Sequence, residues 1–449
     1  MDKIIIEGGR RLSGRVKISG AKNACLPILA ASLLTEEECL IKNVPDLRDV
    51  STMMEILSSF GRSAVREENA VRISRGDVKK TTATYELVST MRASVAVLGP
   101  LVARYGEAKV SFPGGCIIGP RPIDLHLKGL RALGADVRIR EGYILASADK
   151  LKGTRIYLGG HFGSSVLATA NTLMAAVMAQ GVTIIEDAAC EPEIADLAGF
   201  LLAMGADIEG AGTPTLKIRG VCALHGTEYS VIPDRIEAGT YMIAAVLTGG
   251  HLFLENARME HNLALVDKLR TSGGTVTERP GGVDASRTES KIHSMDIATL
   301  TYPGFPTDLQ AQMMSLAAVS DGISVITEKI YPERFIHISE LNRMGADIIL
   351  EGPTSIIKGV KSLSGAPVMA SDLRASAALV LAGLVAEGST EISRVYHLDR
   401  GYEHIENKLS AVGAKIRRVK DEGAQNTDSD ERRRTRHEGR RTKQEEVKF

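Results

Sequence analysis

Tryptophan is absent from the 449 residues, and aromatic residues make up only 4%. Base-stacking platforms for nucleic acid therefore have little to be built from. A charge excess is missing too: 55 Lys and Arg balance 55 Asp and Glu, without the basic footprint of nucleic-acid binders. Cysteine is scarce, and Cys25, Cys39, Cys116, Cys190 and Cys222 form an odd, scattered set with no Cys-x-x-Cys pair. That argues against a disulfide framework or zinc site and for reduced thiols in a cytoplasmic protein. The longest apolar run, 375–386, is shorter than the roughly 20 residues a bilayer span needs. The first residues carry no signal-peptide core, so a soluble chain with no membrane partner is expected. No Gly-x-Gly-x-x-Gly follows a strand and no Walker lysine occurs, which removes motif support for the common nucleotide folds.

What is present is a repeat. Gly-Ala-Asp recurs at 134–136, 205–207 and 345–347, with weaker copies at Gly61, Gly273 and Gly413. The spacing is about 70 residues, longer than solenoid periods, so each unit should be a small α/β module. The signature glycine fits a helix C′ position, where a left-handed backbone is needed. Each unit opens with a small-residue helix that is apolar all round: 24–34, 93–103, 166–179, 238–247, 309–319 and 375–386. Such helices must be buried on every side. Three units per half predict two similar α/β domains, with sheets wrapped around buried helices.

The loop 113–126 follows a strand-like run and precedes an amphipathic helix. Gly114 and Gly115 allow unusual backbone angles before Cys116. Pro122 suits a first helical turn, which puts Arg121 at a helix N-terminus that already favours anions. The loop offers a thiol beside an anion site.

Residues heading the six apolar helices are Lys22-Asn23, Arg92, Ser164-Ser165, Asp234-Arg235, Thr307-Asp308 and Asp372-Leu373-Arg374. Capping explains the Ser, Asp and Asn. It does not explain Lys22, Arg92, Arg235 and Arg374, which oppose the N-terminal dipole unless a shared anion lies in front of them. The turn before the second helix carries Arg in five units, at 48, 121, 258, 334 and 400. An anion-lined cleft between two domains is expected. The segment 422–449 is rich in charge of both signs and poor in large apolar residues, and reads as a disordered tail.

The motifs Ser19-Gly20-Ala21-Lys22-Asn23-Ala24, Gly114-Gly115-Cys116 through His126, Gly304-Phe305-Pro306-Thr307-Asp308, Asp372-Leu373-Arg374 and Asp399-Arg400-Gly401-Tyr402 together resemble the UDP-N-acetylglucosamine 1-carboxyvinyltransferases of the enolpyruvyl transferase superfamily. The resemblance runs in one register over 1–419. It implies two inside-out α/β barrels of three repeats each, with 1–20 and 233–421 in one domain and 21–232 in the other. It implies transfer of enolpyruvyl from phosphoenolpyruvate to the 3′-hydroxyl of UDP-N-acetylglucosamine with release of phosphate, the first committed step of peptidoglycan synthesis, without metal or organic cofactor. By resemblance Cys116 is the proton donor and the target of a fosfomycin-like epoxide, and Asp308 is the base or positions the hydroxyl. Lys22, Arg121 and Arg400 clamp phosphate and carboxylate, Asn23 bonds the intermediate, and Asp372 joins the catalytic set. Arg92, Arg121, Pro122, Ile123, Asp124, Leu125, Ser165, Val166, Ile330 and Arg374 complete the substrate contacts. Rival readings are a relative acting on another uridine nucleotide or on shikimate 3-phosphate, and a non-catalytic nucleotide-sugar-binding regulator.

Overall fold

A helix with no polar face is stable only where other chain covers every side of it. The computed structural model, which describes residues 2–89, 91–112 and 123–420, meets that demand six times. The covered helices are Lys22–Ala31, Leu98–Tyr105, Val166–Ala176, Arg235–Thr248, Gln310–Ala317 and Leu373–Val385. Ile236 to Leu247 is buried without a break. Two helices begin later than the apolar pattern suggests, because their first turns, Arg92–Val97 and Thr307–Leu309, are 3-10. Pro100 supplies a reason in the first case: it has no N–H to close an α turn onto residue 96.

Among the described residues the strands form six four-stranded sheets. In one, Arg155–Tyr157 runs parallel to Val182–Glu186, which pairs antiparallel with Thr215–Arg219, which pairs antiparallel with Asp207–Glu209. One sheet borrows Asp2–Glu7, inserted between Ser389–Ser393 and Lys415–Lys420. Another borrows Ser13–Lys17, parallel to His251–Glu255. The six signature glycines all have positive φ, between 91° and 101°. After each, the next amide reaches back to the helix, as Ala135 N does to Leu130 O at 3.0 Å and Ala346 N to Leu341 O at 3.1 Å. This is the left-handed stop that the repeat predicted.

The buried apolar side chains form two separate cores. One draws on residues between Ala21 and Val231. The other combines Ile4 to Ile18 with Ile236 to Ile416. A few buried polar groups tie helices within each core, including Ser315 Oγ, which donates to Ala378 O at 2.8 Å.

The chain passes between the cores twice, and the two passages lie side by side. Gly20 and Pro233 form an antiparallel bridge. Ala21 N donates to Ile232 O at 2.7 Å and Asp234 N to Ser19 O at 2.8 Å. Gly20 has no room for a side chain: a Cβ there would lie 1.7 Å from the Asn43 carbonyl oxygen. Gly20→Ala should therefore force the crossing apart and destabilise the protein by about 1–3 kcal/mol. An unchanged thermal midpoint in that variant would contradict the tight crossing.

Candidate active site

The heads of the buried helices meet carboxylates from the protein itself. Lys22 opens its helix, and its side chain is 12% exposed. Its Nζ lies 3.4 Å from Asp49 Oδ2. The other oxygen of Asp49 accepts from Arg400 Nε at 2.9 Å. Asp49 belongs to the first core's helix Arg48–Phe60, whereas Arg400 ends the 3-10 turn Val395–Arg400 of the second. One buried carboxylate thus joins cations from both cores. Burial holds the Lys22 ammonium below its ordinary pKa; Asp49 works against this, and the fields of Arg374 and Arg400 reinforce it.

Asp308 sits in the 3-10 turn Thr307–Leu309 and accepts two guanidinium bonds, from Arg334 Nη1 and Arg374 Nη2, each at 2.8 Å. Burial alone would raise its pKa, but the two arginines outweigh burial and hold the carboxyl well below the usual range. Such a carboxylate remains an acceptor near neutrality and is a weak base. Arg374 also donates to the hydroxyl of buried Tyr402 at 3.3 Å, and that hydroxyl meets Thr240 at 2.9 Å and Gln312 at 3.0 Å. The fields of Asp308, Arg374 and Arg400 all reach Lys22.

The expectation that helix-head cations face only a shared external anion is modified here. Lys22, Arg235 and Arg374 already pair with Asp49, Glu193 and Asp308. Buried charges demand such partners whether or not a ligand is bound. Of the turn arginines, Arg334 and Arg400 enter the cluster, while Arg48 and Arg258 are exposed.

His126 links the elements that carry another group of expected residues. Its Nδ1 lies 2.9 Å from Asn171 Nδ2, and Asn171 also donates to Val95 O and accepts from Gly99 N. Nδ1 must therefore accept, which leaves the proton on Nε2. Burial, with Arg92 adding to it, lowers the His126 pKa to about 4. Arg92 begins the 3-10 turn that contains Val95, and Asn171 lies on the helix that Ser165 caps and Val166 opens. Ile123 is buried and Asp124 starts the helix Asp124–Ala132. Leu125 Cδ1 closes off the Cβ direction of Gly160.

Asn23 is partly buried beside Lys22. Pro27, four residues on, removes the amide that would close an α turn onto its carbonyl. The Asp372 carboxylate caps its helix, accepting from Arg374 N at 2.9 Å and Ala375 N at 3.1 Å. It thereby orients the arginine that holds Asp308. The Ile330 amide donates to Glu328 Oε1 at 2.8 Å. Cys116, Arg121 and Pro122, like the tail 422–449, lie outside the described residues. Among the described residues no group of three or more His, Cys, Asp or Glu could hold a metal.

Sequence reasoning missed Asp49, Tyr402 as a hydrogen-bonding centre, and Glu328. Asp49 carried one signal: it is an acid directly after the turn arginine Arg48, in a helix's first turn.

Residues 6–409 match the profile of the EPSP synthase (3-phosphoshikimate 1-carboxyvinyltransferase) family. The UDP-N-acetylglucosamine 1-carboxyvinyltransferase of Methylacidiphilum infernorum is 55% identical over 93% of this chain and 99% of its own length. That of Desulfosudis oleivorans is 56% identical over 93% of this chain and all of its own. The chain belongs to the UDP-N-acetylglucosamine 1-carboxyvinyltransferase family. Its fold is that of the enolpyruvyl transferases. The enolpyruvyl transferase NikO from Streptomyces tendae superposes with a TM-score of 0.83 at 25% identity, covering 93% of this chain and 99% of NikO. EPSP synthase from Acinetobacter baumannii, 18% identical over 93% of this chain and all of its own, shares the fold with a TM-score of 0.71. The shared architecture is the pair of three-unit α/β barrels with helices inside.

Within this family member the Asp308 cluster has a pH signature. Asp308→Ala leaves Arg334 and Arg374 buried without their carboxylate, which should cost roughly 3–5 kcal/mol at neutral pH. Because the folded pKa of Asp308 is depressed, its contribution is complete above about pH 4, the ordinary carboxylate value, and is lost as pH falls below it. Thermal midpoints of wild type and variant should differ by a constant gap from pH 7 to about pH 4 and converge in stronger acid. A gap already closed near pH 6 would show that Asp308 is not held as an anion.

Proposed function

We propose that the chain transfers enolpyruvyl from phosphoenolpyruvate to the 3′-hydroxyl of UDP-N-acetylglucosamine and releases phosphate, as a cytoplasmic enzyme of peptidoglycan synthesis. The observation that carries this reading most directly is Asp49 joining Lys22 and Arg400 from two cores, beside Asp308 held by two arginines. Residues 21–232 and residues 1–20 with 233–421 act as two domains, and the substrates lie between them. Phosphoenolpyruvate brings a phosphate and a carboxylate. Lys22 is buried in the field of Arg374 and Arg400, so an incoming anion relieves the repulsion among these cations. Guanidinium forks suit both anionic groups. Lys22, Arg121 and Arg400 stabilise charge as it develops, and Asn23 bonds the intermediate.

Addition across the enol double bond needs a proton at the methylene carbon and an oriented hydroxyl at the neighbouring carbon. Cys116 gives the proton. Asp308, a firmly held acceptor and weak base, orients the sugar hydroxyl. Arg92, Pro122, Ile123, Asp124, Leu125, Ser165, Val166 and Ile330 contact the nucleotide sugar. Arg374 and Asp372 keep Asp308 in place. The hydroxyl proton passes to the departing phosphate or to solvent, and loss of phosphate together with a proton from the new methyl group of the tetrahedral adduct restores the double bond.

Purified protein should release phosphate from phosphoenolpyruvate with UDP-N-acetylglucosamine and not with shikimate 3-phosphate. Fosfomycin, an epoxide-bearing phosphonate, should alkylate Cys116 and stop turnover. Cys116→Asp should keep measurable turnover with an optimum at lower pH, because a carboxyl is the stronger acid, and should resist the epoxide. Cys116→Ser should lose most turnover. If Cys116→Asp is as inactive as Cys116→Ser while both bind the nucleotide sugar, Cys116 is not acting simply as the acid. Turnover with shikimate 3-phosphate alone would assign the chain to the sister reaction.

A further inference from the structure

Glu328 is fully buried, just after the strand Ile323–Thr327. Four groups surround its carboxyl. Oε1 meets Thr299 Oγ1 at 2.6 Å, Ile330 N at 2.8 Å and Tyr331 N at 2.9 Å. Oε2 meets Thr307 Oγ1 at 2.8 Å. All four act as donors. The amides have no other choice. Thr299 Oγ1 already accepts from Lys329 N at 2.8 Å, and Thr307 Oγ1 already accepts from Arg334 Nη1 at 3.0 Å, so both hydroxyl protons are left for Glu328. Arg334 uses that same Nη1 on Asp308. Arg334 thus donates to Asp308 on one side and, through the Thr307 hydroxyl, is linked to Glu328 on the other.

We infer that Glu328 is a positioning residue for the acceptor side of the reaction, holding Arg334 on Asp308 through Thr307 and the Ile330 loop through two amides. This rests on the proposed transfer to a nucleotide sugar, in which Asp308 orients the hydroxyl and Ile330 contacts the nucleotide sugar. Thr307 is the spacer that makes the arrangement work. Arg334 bonds the Asp308 carboxylate directly and meets Glu328 through the Thr307 hydroxyl, which satisfies Glu328 while leaving the guanidinium to Asp308. Without that hydroxyl, buried Glu328 loses a donor and becomes a competing partner for Arg334. Glutamine cannot replace Glu328. If its oxygen serves the two amides, its NH2 takes the place of the oxygen that accepted the Thr307 hydroxyl proton, and that proton loses its acceptor. If it is turned round, its NH2 faces the amides.

The test is steady-state kinetics with phosphoenolpyruvate and UDP-N-acetylglucosamine. Glu328→Gln should lower kcat by about tenfold to a hundredfold, the usual consequence of misplacing a reacting group. It should also raise KM for the nucleotide sugar and leave KM for phosphoenolpyruvate unchanged. Thr307→Val should lower kcat similarly without raising KM for the nucleotide sugar, because the Ile330 and Tyr331 amides are still held. Thr307→Ser, which keeps the hydroxyl, should restore kcat. A purely structural Glu328 would change the thermal midpoint and leave this split unmoved. If Glu328→Gln does not fold, the Thr307→Val and Thr307→Ser pair decides. Wild-type kcat in Thr307→Val, or wild-type kcat and KM in Glu328→Gln, overturns the inference while the wild-type enzyme remains active. A wild-type protein that releases no phosphate overturns the proposed function and the inference with it.

Discussion

Six helices without a polar face have to be enclosed, and the arrangement of the molecule follows from enclosing them. Three in each core can cover one another only if the strands and amphipathic helices move outside, which is the reverse of a sheet flanked by helices. Polar residues are then pushed to the ends of the buried helices. Lys22, Arg235, Asp308 and Arg374 are all at such ends. The site is therefore a product of the burial pattern: interiors of Ala, Leu and Val leave charge nowhere else to go.

Charges gathered there cannot be left unmatched. Asp308 answers two arginines, and Asp49 answers a lysine and an arginine from different cores. A buried charge deprived of its partner is far more costly than the pair itself, so these acids maintain the site in the absence of substrate. They also set its character. A carboxylate between two guanidinium groups orients a hydroxyl better than it removes a proton, and a lysine crowded by arginines is prepared for an anion.

Much of this was legible in the sequence because repetition magnifies weak signals. One glycine after a helix is ordinary, but six at one spacing predicted a left-handed stop, and all six have it. The apolar helices were readable from their lack of any polar face. Their exact beginnings were not, since Arg92–Val97 and Thr307–Leu309 start as tighter turns. Asp49, Tyr402 and Glu328 escaped notice for a common reason: each acts on residues distant in sequence. Asp49 meets Arg400 across 351 positions, and Tyr402 meets Thr240 across 162. Glu328 reaches back to Thr307 over a separation of 21. No local pattern marks an acid whose importance depends on what the fold brings to it.

The strand Asp2–Glu7 lies between Ser389–Ser393 and Lys415–Lys420, and Ser13–Lys17 lies against His251–Glu255. This has a consequence for biosynthesis. The core spanning Ala21 to Val231 is continuous in sequence and has all its strands once the ribosome has passed residue 231. The other core, although it takes in strands made before any of the first core, cannot close its last sheet until residue 420 has emerged. Ser13–Lys17 must wait for residues 251–255, and Asp2–Glu7 for residues 389–420, before their partners exist. The strand Asp2–Glu7 is thus among the last to find its place, and until then its unpaired edges are open to wrong partners.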